Sequence, residues 1–383
     1  MPGLIFIVAL IVMGDLLLKD KKAHTQNRRF FCIITFGMMF LFAALRSTAV
    51  GIDTVHRYDH FVMLIDLDWK GFTKHLASLT DEYGQDTFVW LFTRIFPSPY
   101  LVEIIMNGFI IWSFACFFYR YSEDISISAL MFFAFFFGAS LNITRQYVAG
   151  SLFLWVIHFL VKKKPAKSII LVLLAVSFHS SAVVLFAFYA LYLIRFQLSR
   201  KKLLLFAGGA LGAFVFFDII IEFVIAKIFP QYWWYVTGDW AVGNVQFSFL
   251  WLVIYSGLIF LLYLQLPKGK EEKKKKKEKI KLKKANAAIG ASQRVYCISV
   301  VAFVLYVLTS MLTSKIWFLS RMNTYFSFGY AMSAAYIFAK LPHIEKKSAK
   351  AIRQIFMLGL AAWAILMYAQ DGHGLLPYTF IWD

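Results

Sequence analysis

Three arginines, Arg46, Arg145 and Arg321, stand at the ends of long apolar runs. A guanidinium at that depth is costly to desolvate and usually lines a cavity or pathway. Its planar fork of donors suits diphosphate oxygens, which need several fixed donors. The competing reading is that each arginine reaches lipid phosphates; three on one side of the same topology favour a shared cationic cavity. Arg46 opens the densest polar stretch, which also holds Gly51, Asp53, Arg57 and Tyr58. Asp53 lies between the two arginines and is a candidate general base, against the alternative of a solvated loop acid. Asp81, Glu82 and Asp86 are further acids of that loop. His179, followed by Ser180 and Ser181, is the second candidate base, because imidazole titrates near neutrality. Its alternative is a polar helix cap. No Gly-rich phosphate loop, HExxH, GxSxG or CxxC pattern occurs, so neither a metal nor a cofactor is expected.

The elements that must position these residues are membrane helices. With 60% hydrophobic and 16% charged residues, the 383-residue chain falls outside the range of soluble domains. Its mean hydropathy is +0.67. A bilayer core of about 30 Å needs a helix of about 20 apolar residues. Apolar runs recur along the chain, at 4–18, 30–45, 101–119, 126–141, 147–161, 168–178, 181–194, 203–221, 248–266, 295–313, 323–341 and 354–369. The expectation is an all-α polytopic membrane protein of about twelve spans, one domain over 1–383. The loop 46–99 is expected outside, with short interfacial helices at 61–67 and 87–96. An aromatic outer loop is expected at 222–247, including Trp233 and Trp234, and a Lys-rich cytoplasmic loop at 267–293. The short runs on either side of His179 must rise and return, which sets this histidine near the outer face.

The formal charge of +19 suggests nucleic acid only until its distribution is considered. On this topology 31 of the 40 Lys and Arg fall in alternate, inner breaks. That is the positive-inside bias, and it places both termini outside. Cys32, Cys116 and Cys297 all lie within apolar runs and form neither a disulfide framework nor a metal motif. No Lys or Arg precedes the first run and no small-residue cleavage site follows it, so a cleaved signal peptide is not expected.

Arg46, Val50-Gly51, Asp53-Thr54, Tyr58 and Phe61, then Asn142, Arg145-Gln146 and Ala149, then His179 and Ala182, resemble the EpsG family of polysaccharide-biosynthesis membrane proteins. That family is similar to the Wzy-type polymerases of O-antigens, capsules and exopolysaccharides. Arg321 with Tyr325, and Pro377-Tyr378, resemble its C-terminal features. One departure is the Glu that the family usually has before the third span. This chain has Asp86 there, with Glu82 as competitor.

The resemblance implies a metal-independent glycosyltransferase of the bacterial plasma membrane. It would join undecaprenyl-diphosphate-linked oligosaccharide repeat units at the outer face. Arg46, Arg145 and Arg321 would bind the diphosphate and stabilise it as a leaving group. Asp53 or His179 would take the acceptor proton. Arg57, Tyr58, Gln146, Tyr325 and Asp86 would complete the substrate site, and Tyr58, Trp233 and Trp234 could stack on sugar or prenyl chain. Expected partners are the lipid-linked oligosaccharides, the bilayer, a chain-length regulator and a flippase, with no nucleic acid. Rival functions are an O-antigen-ligase-like transfer, a polyprenyl-phosphate-sugar glycosyltransferase and a membrane acyltransferase using His179. The non-enzymatic rival, a transporter of lipid-linked sugar, calls for broken midplane helices or repeat symmetry, and no internal repeat is present.

Overall fold

The computed structural model describes residues 1–18, 24–79, 82–194, 196–227, 249–266, 287–341 and 344–382. Every regular element among them is helical, apart from a single isolated bridge between Arg46 and Phe380. Two compact units divide the chain: Met1–Tyr189 with Lys350–Asp383, and Ala190–Ala349.

In the first unit, α1 (Pro2–Leu17) and α2 (His24–Ala44) run antiparallel, with Gly3 against Phe42 and Gly14 against Phe31. The polar stretch that follows contains three helices, α3 (Thr54–Asp66), α4 (Trp69–Ser78) and α5 (Tyr83–Thr93). Two short helices at 61–67 and 87–96 were expected. The difference lies in the polar first turns: Asp68 caps α4 by accepting from the Gly71 amide at 2.6 Å. The first turns of α3 and α5 are mostly polar, with Thr54, Gln85 and Asp86 buried, so hydropathy alone gives no sign of where these helices begin.

The long helix α6 (Pro99–Tyr121) begins behind Ser98, which caps it, and Pro99, which needs no amide partner. Next, α7 (Ile125–Phe132), a π turn over Phe133–Phe137 and α8 (Gly138–Asn142) form one continuous path. The Tyr368 hydroxyl repairs the π turn, donating to the Phe133 carbonyl at 2.7 Å and accepting from the Gly138 amide at 3.2 Å. Then come α9 (Thr144–Val161), α10 (Pro165–Phe178), a 3-10 turn Ser180–Val184 and α11 (Leu185–Leu193).

The second unit is built from α12 (Arg200–Val215), α13 (Phe217–Lys227), α14 (Phe249–Gln265), α15 (Ala287–Leu312) and α16 (Asn323–Ala339). Gly329 of α16 lies against Ala302, Phe303 and the Ser299 carbonyl of α15, a backbone approach that leaves no room for a side chain. Tyr255 joins Phe303, Tyr306 and Tyr330 in an aromatic cluster. The final helix, α17 (Lys346–Ala369), enters the first unit from Lys350 onward.

Twelve spans were expected; among the described residues five helices are long and apolar enough to cross a membrane, or six if the pair Arg200–Val215 and Phe217–Phe223, bent by 73°, counts as one. Helices form in the other apolar runs, but most are short. Pro165–Phe178 has 14 residues, about 21 Å of helix. Trp233, Trp234 and most of the Lys-rich loop lie outside the described residues.

At one end of the first unit, Arg353 of α17 is clamped by two carboxylates. Its Nη1 and Nη2 donate to Asp15 at 2.9 and 2.6 Å, and its Nε and Nη2 donate to Asp124 at 2.5 and 2.9 Å. Beside it, Arg28 satisfies the last carbonyls of α6 at Phe118, Tyr119 and Ser122. Arg353→Met should therefore leave two carboxylates unpaired at a largely buried site and lower stability by roughly 3 kcal/mol. Adding Asp15→Asn and Asp124→Asn to that variant should recover most of the loss, read as melting temperature in detergent.

Candidate functional site

At the opposite end of that unit, Arg46 follows α2 and is 3% exposed. Its Nη2 donates to Glu103 Oε2 and to the Leu141 carbonyl, both at 3.2 Å. Arg57, in the first turns of α3, grips the same carboxylate through Nε to Oε1 and through Nη2 to Oε2 at 3.2 Å. It also donates to the carbonyls of Leu141 at 2.9 Å and Asn142 at 2.5 Å. These carbonyls end α8, where a helix leaves acceptors unpaired and favours positive charge. Asn107 adds a bond to Glu103 at 3.1 Å. Burial pulls the Arg46 guanidinium down to about 10 against the opposing pull of Glu103, so it stays charged at neutral pH.

A glycine is required at position 51. Its φ is +104°, and a Cβ there would lie 2.5 Å from Thr54 Oγ1 and 2.8 Å from Asn142 Oδ1. The C-terminal segment closes over this corner. The Gly51 amide donates to the Gly374 carbonyl at 2.7 Å, Asn142 Nδ2 donates to the His373 carbonyl at 2.9 Å, and Ser47 meets Thr379.

The sequence suggested Asp53 as the acid associated with Arg46 and Arg57. Glu103 takes that place instead, and Asp53 is an exposed N-cap of α3 with no ion pair among the described residues. Seven residues of reach along the chain were not proximity of side chains. The overlooked signal was a lone carboxylate inside an apolar helix, itself a mark of a paired or functional group.

A second cluster adjoins the first, one break further along the chain. Arg145 stands in the first turn of α9, its side chain 43% exposed, with Nη1 2.9 Å from Glu82 Oε2. The other oxygen of Glu82 contacts His179 Nδ1 and accepts from the Ser180 amide at 3.1 Å and the Ser180 hydroxyl at 3.3 Å. His179 Nε2 lies 2.5 Å from Gln146 Nε2. With the imidazole proton on Nδ1, beside Glu82, the Nε2 lone pair accepts from the Gln146 amide. Burial pushes the Glu82 carboxyl up, but the bonds and charges of His179, Arg145 and Ser180 together outweigh it and hold it at about 2. Glu82 has a φ of +63°, rare for a residue with a side chain and typical of functional positions. Its neighbour Gly84 is pressed against Ser177; a Cβ would lie 2.3 Å from the Ser177 hydroxyl and 2.8 Å from its backbone carbon. This close approach seats the start of α5 on the end of α10.

Arg145, Gln146 and His179 are thus brought together, with Glu82 as the acid that joins them. Asp86 is elsewhere, accepting from His60 at 2.9 Å and His75 at 2.8 Å. Burial raises its carboxyl, yet the two histidine bonds win and its pKa is lowered. Tyr58 is half-buried on α3. Arg321, in the 3-10 turn Trp317–Met322, and Tyr325, fully buried in α16, belong to the second unit. Among the described residues no group of three or more His, Cys, Asp or Glu is arranged to hold a metal ion.

Glu103→Gln should leave two buried arginines sharing no anion and cost about 3–5 kcal/mol, seen as lost yield and a lower melting temperature; an unchanged melt would refute the brace. The Glu82 carboxyl is depressed in the folded state, so its stabilisation is complete above the ordinary value of 4.5 and is lost as the pH falls towards about 2. The melting difference between the wild type and Glu82→Gln should therefore be present at pH 6 and shrink on acidification through that window.

No curated protein and no solved structure matches the chain. The EpsG family matches residues 29–380, a range that includes both arginine clusters and the C-terminal segment that closes over them. The chain belongs to the EpsG family.

Proposed function

We propose that this protein is a polymerase that joins undecaprenyl-diphosphate-linked oligosaccharide repeat units at the outer face of the bacterial plasma membrane. One observation carries the reading: a half-exposed arginine at a helix N-terminus shares a carboxylate with a histidine. A helix N-terminus and a guanidinium both call for an anion. Glu82 meets that need in the resting site, and a lipid diphosphate would compete for the same donors.

In the proposed reaction, a hydroxyl oxygen of the acceptor unit attacks the anomeric carbon of the donor chain. Its proton passes to His179 Nε2, from which Gln146 must first swing away. The bond from the anomeric carbon to the diphosphate oxygen breaks, and the electron pair leaves on the lipid diphosphate, stabilised by Arg145. Glu82 holds His179 by Nδ1 and balances the imidazolium that forms. No metal is needed in this scheme, since Arg145 supplies the positive charge. Arg46 and Arg57, both occupied by Glu103, position the start of α9 and act on substrate only through Arg145. Arg321 is the remaining candidate for a diphosphate ligand, and Asp53 is the rival base. The outer-face assignment rests on the Lys/Arg bias, because the Arg145 end of the first unit is the Lys-poor one.

A transporter of lipid-linked sugar has one observation in its favour, the 73° break between α12 and α13. Reconstitution with a purified lipid-linked repeat unit separates the two. A ladder of longer lipid-linked products is expected, whereas a change of leaflet without lengthening would establish the transporter. In the same assay, His179→Ala should lower the rate by about 10²–10⁴-fold. Arg145→Ala should lower it by at least about 10²-fold, both assayed well below each variant's melting temperature because each also removes a partner of Glu82. Asp53→Asn should retain near wild-type rates; a collapse there with His179→Ala active would transfer the role of base to Asp53.

A further inference from the structure

Phe88, Phe92 and Phe96 recur every fourth residue along α5 and just beyond its end. Their rings follow one another with centroids 5.9 and 5.3 Å apart. On the adjoining face, Gln85, Asp86, Val89, Trp90 and Thr93 are buried. Phe88 and Phe92 are half-buried and Phe96 is 49% exposed, and the ladder borders the exposed Leu91 and Ile95, so an apolar stripe reaches the surface along this side of the helix. Such a stripe is unfavourable in water and favourable against hydrocarbon.

This stripe begins at the polar cluster. Phe88 meets Phe178 at 6.2 Å, and Phe178 immediately precedes His179. The tight seat of Gly84 on Ser177 holds this junction, so that Glu82 reaches His179 while Phe88 reaches Phe178. From Phe88 to Phe96 the ladder extends about 12 Å. A diphosphate at Arg145 therefore has an apolar track leading away from it.

We propose that the Phe88–Phe92–Phe96 ladder, headed by Phe178, seats the polyprenyl chain of the lipid-linked substrate. The identity of the head group rests on the polymerase reading; the track itself does not. Ordinary membrane lipid is the rival occupant, but it accounts neither for a ring ladder that starts beside His179 nor for an anion site at its head.

The test places a photoreactive phenylalanine analogue at position 92 of the full chain in phospholipid vesicles. A second sample carries it at position 33, where Ile33 is 61% exposed on α2. The probe is radiolabelled undecaprenyl diphosphate without sugar. Position 92 should label strongly and saturably, in competition with unlabelled probe, and position 33 only in proportion to bulk lipid. Equal labelling at the two positions, or labelling at 92 that does not saturate, overturns the proposal. As an independent measure, Phe88→Ala with Phe92→Ala should raise KM about tenfold for the full-length lipid substrate. KM for a short-prenyl analogue should stay unchanged; a loss of the same size on both substrates would make the rings merely structural and overturn it. Failure of the polymerase reading would appear differently, as saturable labelling at position 92 with no product ladder from the wild type.

Discussion

The Glu103 carboxylate is the constraint on which the rest of this end of the molecule depends. Two guanidinium groups buried side by side would repel strongly at low dielectric, and each carries a large desolvation cost. One carboxylate between them, with the carbonyls of Leu141 and Asn142 taking further donors, makes the arrangement tenable although Arg46 Nη1 is buried without a hydrogen-bond partner. The same bonds tie together the end of α2, the start of α3, the first turns of α6 and the end of α8. Because α9 begins immediately after that fixed point, the direction of Arg145 follows from it.

Exposure separates the two arginine clusters into different tasks. Arg46 and Arg145 are the same residue type at similar places in their runs, yet one is 3% exposed and the other has a side chain 43% exposed. Arg46 spends its donors inside the protein, on a carboxylate and a helix terminus. Arg145 holds one carboxylate that is itself shared with His179, Ser180 and a strained backbone turn. A brace is built to stay closed; a shared, partly exposed ion pair can exchange its anion at modest cost, since solvent screens the charges while they separate.

Much of this was legible in the sequence, and the rest was hidden for physical reasons. Apolar runs announced helices, and Arg145, Gln146 and His179 stood out as polar residues at their ends. Proximity across the fold was not legible. Glu82 and His179 are 97 positions apart in the chain, and the packing of α5 on the end of α10, at Gly84 on Ser177 and Phe88 on Phe178, brings them together. Asp53 sits near two arginines along the chain yet faces solvent, and Glu103, not Asp53, pairs with them. Twelve spans are not confirmed, because several of the apolar runs fold into helices shorter than a bilayer core needs, as at Pro165–Phe178 and Ser180–Leu193. The π turn at Phe133–Phe137, four phenylalanines and an alanine, left no mark in the apolar run that contains it.

Glu82 links these observations. A carboxylate held at about 2 remains charged at any physiological pH, so it cannot yield its place by taking up a proton. It can be displaced from Arg145 only by an anion that offers the guanidinium more, and a diphosphate has more oxygens and more charge than one carboxylate. Displacement would leave Glu82 wholly to His179 and Ser180, whose bonds to its other oxygen are independent of Arg145. The contacts that orient the imidazole would then persist while the anion at Arg145 is exchanged.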